Sequence, residues 1–398
     1  MQPSTDTALL ERLLHGVEGE LARAVDLRQR LHAQPELAHS ETHTAAMIAA
    51  ELPVAWETAA GTGLLARLGA SDSTAPVAVR AELDGLPVRE RTGAAFSATG
   101  ETMHACGHDV HMAALVALVR AAHDLEEWLP VPLLAVFQPS EEAYPSGAKE
   151  LAHGALAKIA PAAVVGAHIH PELRWGEVAL DAGAVNASCD AVEITVEGEP
   201  SHGAYPHHGR DPILALAQIV VALHAQVARR IDPLSPAVLT VGVIEGGSAE
   251  NVIPARARAR AALRAHSAET RRALRTLVEE VVMGVAAAHG CRANVVLEPG
   301  EPILENDPAI VARARGLFAD AGLTSADAWR SYGSDDFAFF GELAPLAMAF
   351  VGIDGAPGFE RRPLHHPELL PPDDAVGAVA RVLAVLYVAA AGASRDKG

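Results

Sequence analysis

The densest group of reactive side chains in this 398-residue sequence is MHACGHDVHM, residues 103–112. Cys106 and His108 stand two apart, with His104, Asp109 and His111 close by, and the stretch runs into an apolar, helix-like segment at 113–125. A thiolate and an imidazole presented together at the mouth of a helix suit a transition metal such as zinc, manganese or cobalt. Two ligands do not hold an ion, so the rest of the chain must deliver others to the same place.

The pattern around this stretch supplies a scaffold that could do so. From residue 6 to about 34, Leu9, Leu13, Val17, Leu21, Val25, Leu27 and Leu31 recur every two to four residues, an amphipathic helix stopped by Pro35; 43–52 reads as a second, ended by Pro53. Short apolar runs at 63–68, 77–83, 133–137, 164–169 and 346–353 read as strands, and helical stretches at 113–125 and 146–153 separate some of them. This alternation predicts an α/β domain with a mixed, largely parallel sheet flanked by helices. Between 185 and 297 the texture changes to strand, helix, two strands, helix, strand, the βαββαβ order of a ferredoxin-like α+β unit. The expected organisation is therefore an α/β domain at 1–184 and 298–398 with a second domain, 185–297, inserted in it.

In open α/β sheets ligands bind beyond the carboxyl ends of the strands. Polar residues collect there: Glu82 and Asp84 at the end of 77–83, Glu141 and Glu142 after 133–137, His168 and His170 at the end of 164–169, and His365 and His366 after the last strand. With 19 histidines in the chain, any one His near an acid is more simply structural, and Glu141–Glu142 alone could be a solvated turn. Their coincidence at successive strand ends is what points to a site.

Lys and Arg number 31 against 50 Asp and Glu, a net charge of −19. Such a surface repels polyanions and argues against nucleic acid or an anionic membrane as partner. No apolar run reaches the roughly 18 uninterrupted residues of a membrane span and the first residues lack a basic-then-apolar leader, so a cytoplasmic location is expected. Three widely spaced cysteines, 106, 189 and 291, do not make a disulfide framework. There is no G-x-S-x-G elbow, P-loop or dinucleotide fingerprint.

Taken in order, LHAQPEL (31–37), RAELDGLP (80–87), MHACGHDVH (103–111), FQPSEEA (137–143), GAHIHP (166–171), SHGAYPH (201–207), DPI (211–213), NVIP (251–254), GSDDFAF (333–339) and HHPEL (365–369) resemble the metal-dependent amidohydrolases that cleave N-acyl amino acids, which include hippurate hydrolases, aminoacylase-like enzymes and auxin-conjugate hydrolases. The resemblance covers nearly the whole chain. It implies a di-metal, peptidase-like enzyme whose inserted domain is a lid that also forms a homodimer. It implies two divalent ions, Zn, Mn, Co or Ni, held by Cys106, His108, Glu142, His168 and His365, with Cys106 as the bridge. Glu141 is then the general base, Asp84 orients a ligand histidine, His202 donates to the oxyanion, and Asn251 and Arg264 hold the substrate carboxylate.

Within the pairs 168/170 and 365/366 only the resemblance picks the ligand. The sequence departs from the family in Glu82, where Asp is usual, in His170 for Trp and in His366 for Ser. The implied reaction is hydrolysis of the amide of an N-acyl amino acid. The alternatives are a dipeptidase or carboxypeptidase of the same chemistry, and, in another class, a non-catalytic metal- or ligand-binding protein on this fold.

Overall fold

The leucine spacing of the first thirty residues closes into helix α1 (Thr5–Ala33), which buries Leu9, Leu10, Leu13, Val17, Leu27 and Leu31 along one face. The structure, a computed structural model, describes residues 5–69 and 74–396. They divide into two units. The first takes the chain up to Gly183 and resumes over Glu305–Trp329 and from Asp336; the second is Ala184–Leu304 with Arg330–Asp335.

In the first unit α1 is followed by α2 (Thr42–Glu51), β1 (Trp56–Ala59), β2 (Gly63–Leu68), β3 (Val77–Glu82), α3 (His108–His123), β4 (Leu133–Gln138), α4 (Gly147–His153), β5 (Ala163–Arg174) and β6 (Glu177–Ala179). Helix α3 begins at His108 itself, five residues earlier than its apolar composition predicts, so Asp109, His111 and Met112 are helical and buried. The tertiary fold overrides composition here, because a helix enclosed on all sides can carry polar residues only where they find buried partners.

The second unit contains β7 (Ser188–Glu197), α5 (Pro212–Arg230), β8 (Ala237–Gly246), β9 (Arg256–Ala265), α6 (Ala268–Ala288) and β10 (Arg292–Pro299). Its sheet runs β8-β9-β7-β10 with every neighbour antiparallel, the ferredoxin-like arrangement. Asp211 caps α5 through the Ile213 and Leu214 amides, with Pro212 in the first turn, and Ser267 caps α6. One stripe of α5, Ala215, Leu216, Ile219 and Leu223, enters the core, while Ile213, Leu214 and Val221 are exposed. This unit reaches beyond residue 297. The segment Arg330–Asp335 joins it because Arg264 donates to the Tyr332 carbonyl and His266 bonds the Ser331 carbonyl, contacts that no local pattern encodes.

The chain then completes the first unit with α7 (Pro308–Leu317), β11 (Thr324–Ser325), β12 (Leu346–Asp354) and α8 (Asp374–Arg395). The eight strands lie in the order β1-β2-β4-β3-β5-β12-β6-β11. Strands β4, β3, β5 and β12 are mutually parallel, with antiparallel pairs to either side, so the fold is a mixed α/β sheet flanked by helices. Helices α5 and α8 are each long and apolar enough to cross a membrane by length and composition, but 89% of the most apolar window of α8 is buried inside this unit. Because the central strands are parallel, their carboxyl ends open along one edge, and the chemistry collects there.

Candidate metal centre

The turn from Cys106 into α3 depends on Gly107. Its φ is +86°, and a Cβ at this position would lie 2.3 Å from Ile169 Cδ1, so a side chain is excluded on two counts. His108 becomes the first helical residue, buried with Cys106 at the end of the sheet.

His108 Nδ1 lies 2.9 Å from the main-chain carbonyl of Asp84, to which it donates; the Asp84 carboxylate stands off at 3.5 Å and instead accepts the Glu142 amide at 2.8 Å. Asp84 thus orients His108 chiefly through its backbone and Glu142 through its side chain. His108 Nε2 is left buried without a hydrogen-bond partner, 3.9 Å from Glu142 Oε1, itself buried and unpartnered, and 4.0 Å from Glu141 Oε2. His168 repeats the arrangement: Nδ1 donates to the Ile169 carbonyl at 2.6 Å and Nε2 faces Cys106 Sγ at 3.4 Å. Fixing Nδ1 as the donor to the backbone leaves Nε2 as the nitrogen that a metal can take in place of its proton or its thiol contact.

The last of the five expected ligands, His365, approaches Glu142 Oε1 with Nε2 at 3.4 Å. It sits at the rim, half exposed, in the left-handed region at φ +68°, held by its amide donating to the Ala105 carbonyl beside Cys106. Such a conformation is costly for a non-glycine residue and persists where the surroundings enforce it. Their neighbours go elsewhere. His170 packs against Trp329 and Phe350 with its Nδ1 accepting the Glu172 amide, and His366 Nδ1 accepts the Glu368 amide.

Ligand atoms of Cys106, His108 and Glu142 fall within 4.8 Å of one another, as do those of Glu82, His108, His111 and His168. The second group is narrower in use than its geometry. His111 Nδ1 bonds Glu82 at 2.9 Å and its Nε2 accepts the Ile169 amide at 3.0 Å, so neither nitrogen is free. Glu82 also pairs with the buried Arg80, which reaches Gln138 at 2.7 Å and Asp336 at 3.0 Å. His111 and Arg80 support the centre, and their sequence signal was only proximity. His104 is buried with neither ring nitrogen bonded, and burial pulls its pKa down to about 4.

Charge is the other half of the fit. Burial, then the Glu142, Glu141 and Glu82 carboxylates, push the Cys106 thiol well up. Burial opposes charging His108, yet Glu82, Asp84 and Glu142 lift it to about 10. Both shifts express an excess of negative charge in a closed space, which divalent cations neutralise. The orphaned His108 and Glu142 atoms and the thiol–imidazole–carboxylate donor set fit such ions.

A second polar cluster lies behind the first turn of α3. Asp109 accepts from Arg28 Nε at 2.7 Å and from His32 Nδ1 at 2.9 Å, and His32 Nε2 reaches Glu90 at 3.1 Å. Burial opposes a charged His32, but Asp109 and Glu90 raise it to about 9.

His202, Asn251 and Arg264 belong to the second unit. Ser201–His202 pairs with Val252–Ile253, placing His202 opposite Val252, and the Gly203 amide donates to the Asn251 carbonyl. His202 Nδ1 accepts the Ala204 amide at 3.0 Å, so its proton is on Nε2. Arg264 Nη1 donates to the Tyr332 carbonyl at 2.7 Å.

Residues 78–387 match the family described as Peptidase family M20/M25/M40. The chain is 35% identical to N-acetyl-L-cysteine deacetylase of Bacillus subtilis (strain 168), over 86% of this chain and 82% of that protein. It is 33% identical to N-acetyldiaminopimelate deacetylase of Halalkalibacterium halodurans, over 88% and 94%. Among solved structures, the Bacillus subtilis YXEP protein, described as a dinuclear metal binding peptidase from the M20 family, superposes with a TM-score of 0.82 at 27% identity, covering 93% of this chain and 98% of that one. With its buried cation-seeking centre at the parallel strand ends and a family match across most of its length, the chain belongs to peptidase family M20/M25/M40.

Proposed function

We propose that this enzyme hydrolyses the amide bond of N-acyl amino acids at a two-metal centre held by Cys106, His108, Glu142, His168 and His365. The observation that carries the reading is His108 Nε2 and Glu142 Oε1, both buried without a hydrogen-bond partner, facing each other at 3.9 Å beside a buried thiol, with His365 Nε2 3.4 Å from the same carboxylate oxygen. The names of the relatives, deacetylases of N-acetyl amino acids, supply the substrate class. Two divalent ions, from among Zn, Mn, Co and Ni, supply when bound the positive charge that polarises an acyl carbonyl and acidifies water.

The remaining work falls to the side chains. Glu141, partly buried and 4.0 Å from His108 Nε2, takes the proton from the attacking water and returns it to the amine nitrogen as the carbon–nitrogen bond breaks. His202, protonated on Nε2 by the logic of its Ala204 contact, donates to the oxyanion. Asn251 and Arg264 hold the substrate carboxylate, Arg264 being steadied by the Tyr332 carbonyl. The second unit acts as lid and homodimer interface in this reading, supported by the free edge of β8 and the exposed Ile213, Leu214 and Val221 of α5. A buried free thiol at the centre suits a reducing cytoplasm.

The test is Glu141→Gln, assayed on acetyl, benzoyl and indole-acetyl amino acids beside a dipeptide panel, with released amine as readout. Turnover is expected to fall by about 10²–10⁴-fold with metal content near wild type. Undiminished turnover overturns the role of Glu141, and a preference for dipeptides replaces the N-acyl substrate class with a peptidase.

A further inference from the structure

The loop that carries Glu141 and Glu142 begins at Ser140, a fully buried residue whose backbone lies in the left-handed region at φ +50°. A serine does not adopt this conformation without something to hold it. Its side chain is already engaged, bonding His39 Nε2 at 2.9 Å and donating within the loop to the Ala143 carbonyl at 3.0 Å. Its amide is held from outside the loop. Glu41, ninety-nine residues earlier and wholly buried, accepts the Ser140 N–H at 2.7 Å on one carboxylate oxygen and the Thr62 hydroxyl at 2.7 Å on the other.

Glu41 forms no ion pair among the described residues; its hydrogen-bond donors are both neutral. A carboxylate buried on such terms is an expensive way to secure a fold, since an apolar or amide side chain would fill the space at lower desolvation cost. What it provides is a strong, rigid acceptor for one amide, and the next two residues point their carboxylates at the metal centre. The same stretch of chain also holds the other acidic loop. The Glu36 carbonyl accepts the Gly85 amide at 2.8 Å and Leu37 bridges Gly85, next to Asp84. Residues 36–41, between α1 and α2, therefore fasten both acidic strand ends from behind.

We propose that Glu41 is a positioning residue: through the Ser140 amide it fixes the direction of Glu141 and Glu142 without touching metal or substrate. The inference rests on the reading of Glu141 as base and Glu142 as ligand. Glu41→Met fills the volume and removes both acceptors. Glu41→Gln keeps an oxygen for the Ser140 amide while its NH₂ donates to the Thr62 hydroxyl.

The readouts are kcat and KM on the best N-acyl substrate, and zinc affinity by competition with a chromophoric chelator, which needs no turnover. Glu41→Met is expected to lower kcat and zinc affinity each by about 10–100-fold with KM within about threefold, and Glu41→Gln to recover both to within about threefold of wild type. Folded Glu41→Met protein with wild-type kcat and zinc affinity overturns the proposal, as does Glu41→Gln being no better than Glu41→Met. If Glu41→Met does not fold, Thr62→Val, which strips the donor from the other carboxylate oxygen, takes its place: a loss of about 3–10-fold in zinc affinity supports the proposal and none overturns it. Glu141→Gln serves as the control. If it retains turnover the underlying reading fails, and zinc affinity alone then decides for or against Glu41.

Discussion

Two clusters of histidine and carboxylate meet the first turn of α3 at adjacent residues, and they are built for opposite ends. Behind the helix, Asp109 binds Arg28 and His32, and both ring nitrogens of His32 are bonded to carboxylates. In front of it, His108 and His168 each commit Nδ1 to a backbone carbonyl and keep Nε2 turned toward Cys106, Glu141 or Glu142. Both set buried histidines among carboxylates, with an arginine added at the rear and a cysteine in front. The difference is what the second nitrogen faces: His108 Nε2 has no hydrogen-bond partner and looks onto two carboxylates, and His168 Nε2 looks onto the Cys106 thiol, and it is this convergence of possible ligands, more than the presence of histidines and acids, that marks a place for a cation. His111 makes the point within the front cluster, since it lies among possible ligands and has both nitrogens occupied.

The contrast breaks first at His108. His108→Ala should empty the centre, with turnover falling on the order of 10³-fold or more and bound metal lost by elemental analysis; a variant that keeps its metal would show that the unpartnered nitrogen had been misread. His32→Gln should instead keep metal and leave turnover within about threefold, and change stability as a function of pH. The folded pKa of His32, about 9, lies above its ordinary value of 6.5, so its contribution is complete below pH 6.5 and is lost as pH rises through 9. Between pH 7 and pH 10 the wild type should therefore lose about 2 kcal/mol more than His32→Gln in denaturant unfolding, and equal losses would remove the charged His32 from the account. The smallest effect sharpens the line between neighbours: His366→Ala, which removes only an acceptor for the Glu368 amide, should cost about 0.5 kcal/mol and leave turnover within about twofold. A larger loss of activity would move His366 into the centre beside His365.

Much of this architecture was legible because periodicity reports burial directly. The leucines of α1 and the apolar runs of β3 to β5 each followed from what an enclosed sheet or a one-sided helix needs. The start of α3 did not. Its first turn is polar, and only the partners supplied by α1, β3 and β5 make it stable there. The choice between His168 and His170, or His365 and His366, was open to the family resemblance but closed to residue type and spacing, since which nitrogen is engaged by which backbone group depends on three-dimensional neighbours. Glu41 gave no signal at all: it lies outside the reactive stretch, in a segment that reads as a plain connection between two helices, and its meaning is the distant amide it accepts.

Strand β12 lies between β5 and β6, and α8 shares a core cluster with α1 and α3, yet both come from the final stretch of the sequence, after residue 345. On the ribosome the ladder edge of β5 and the apolar flank of α3 must wait, unprotected, while the whole inserted βαββαβ unit is translated. A ribosome that stalls or stops in that interval releases a chain with a finished insert and a half-built, sticky host, so nascent-chain chaperones and early-termination alleles should bear on this protein's yield far more than on its rate constants.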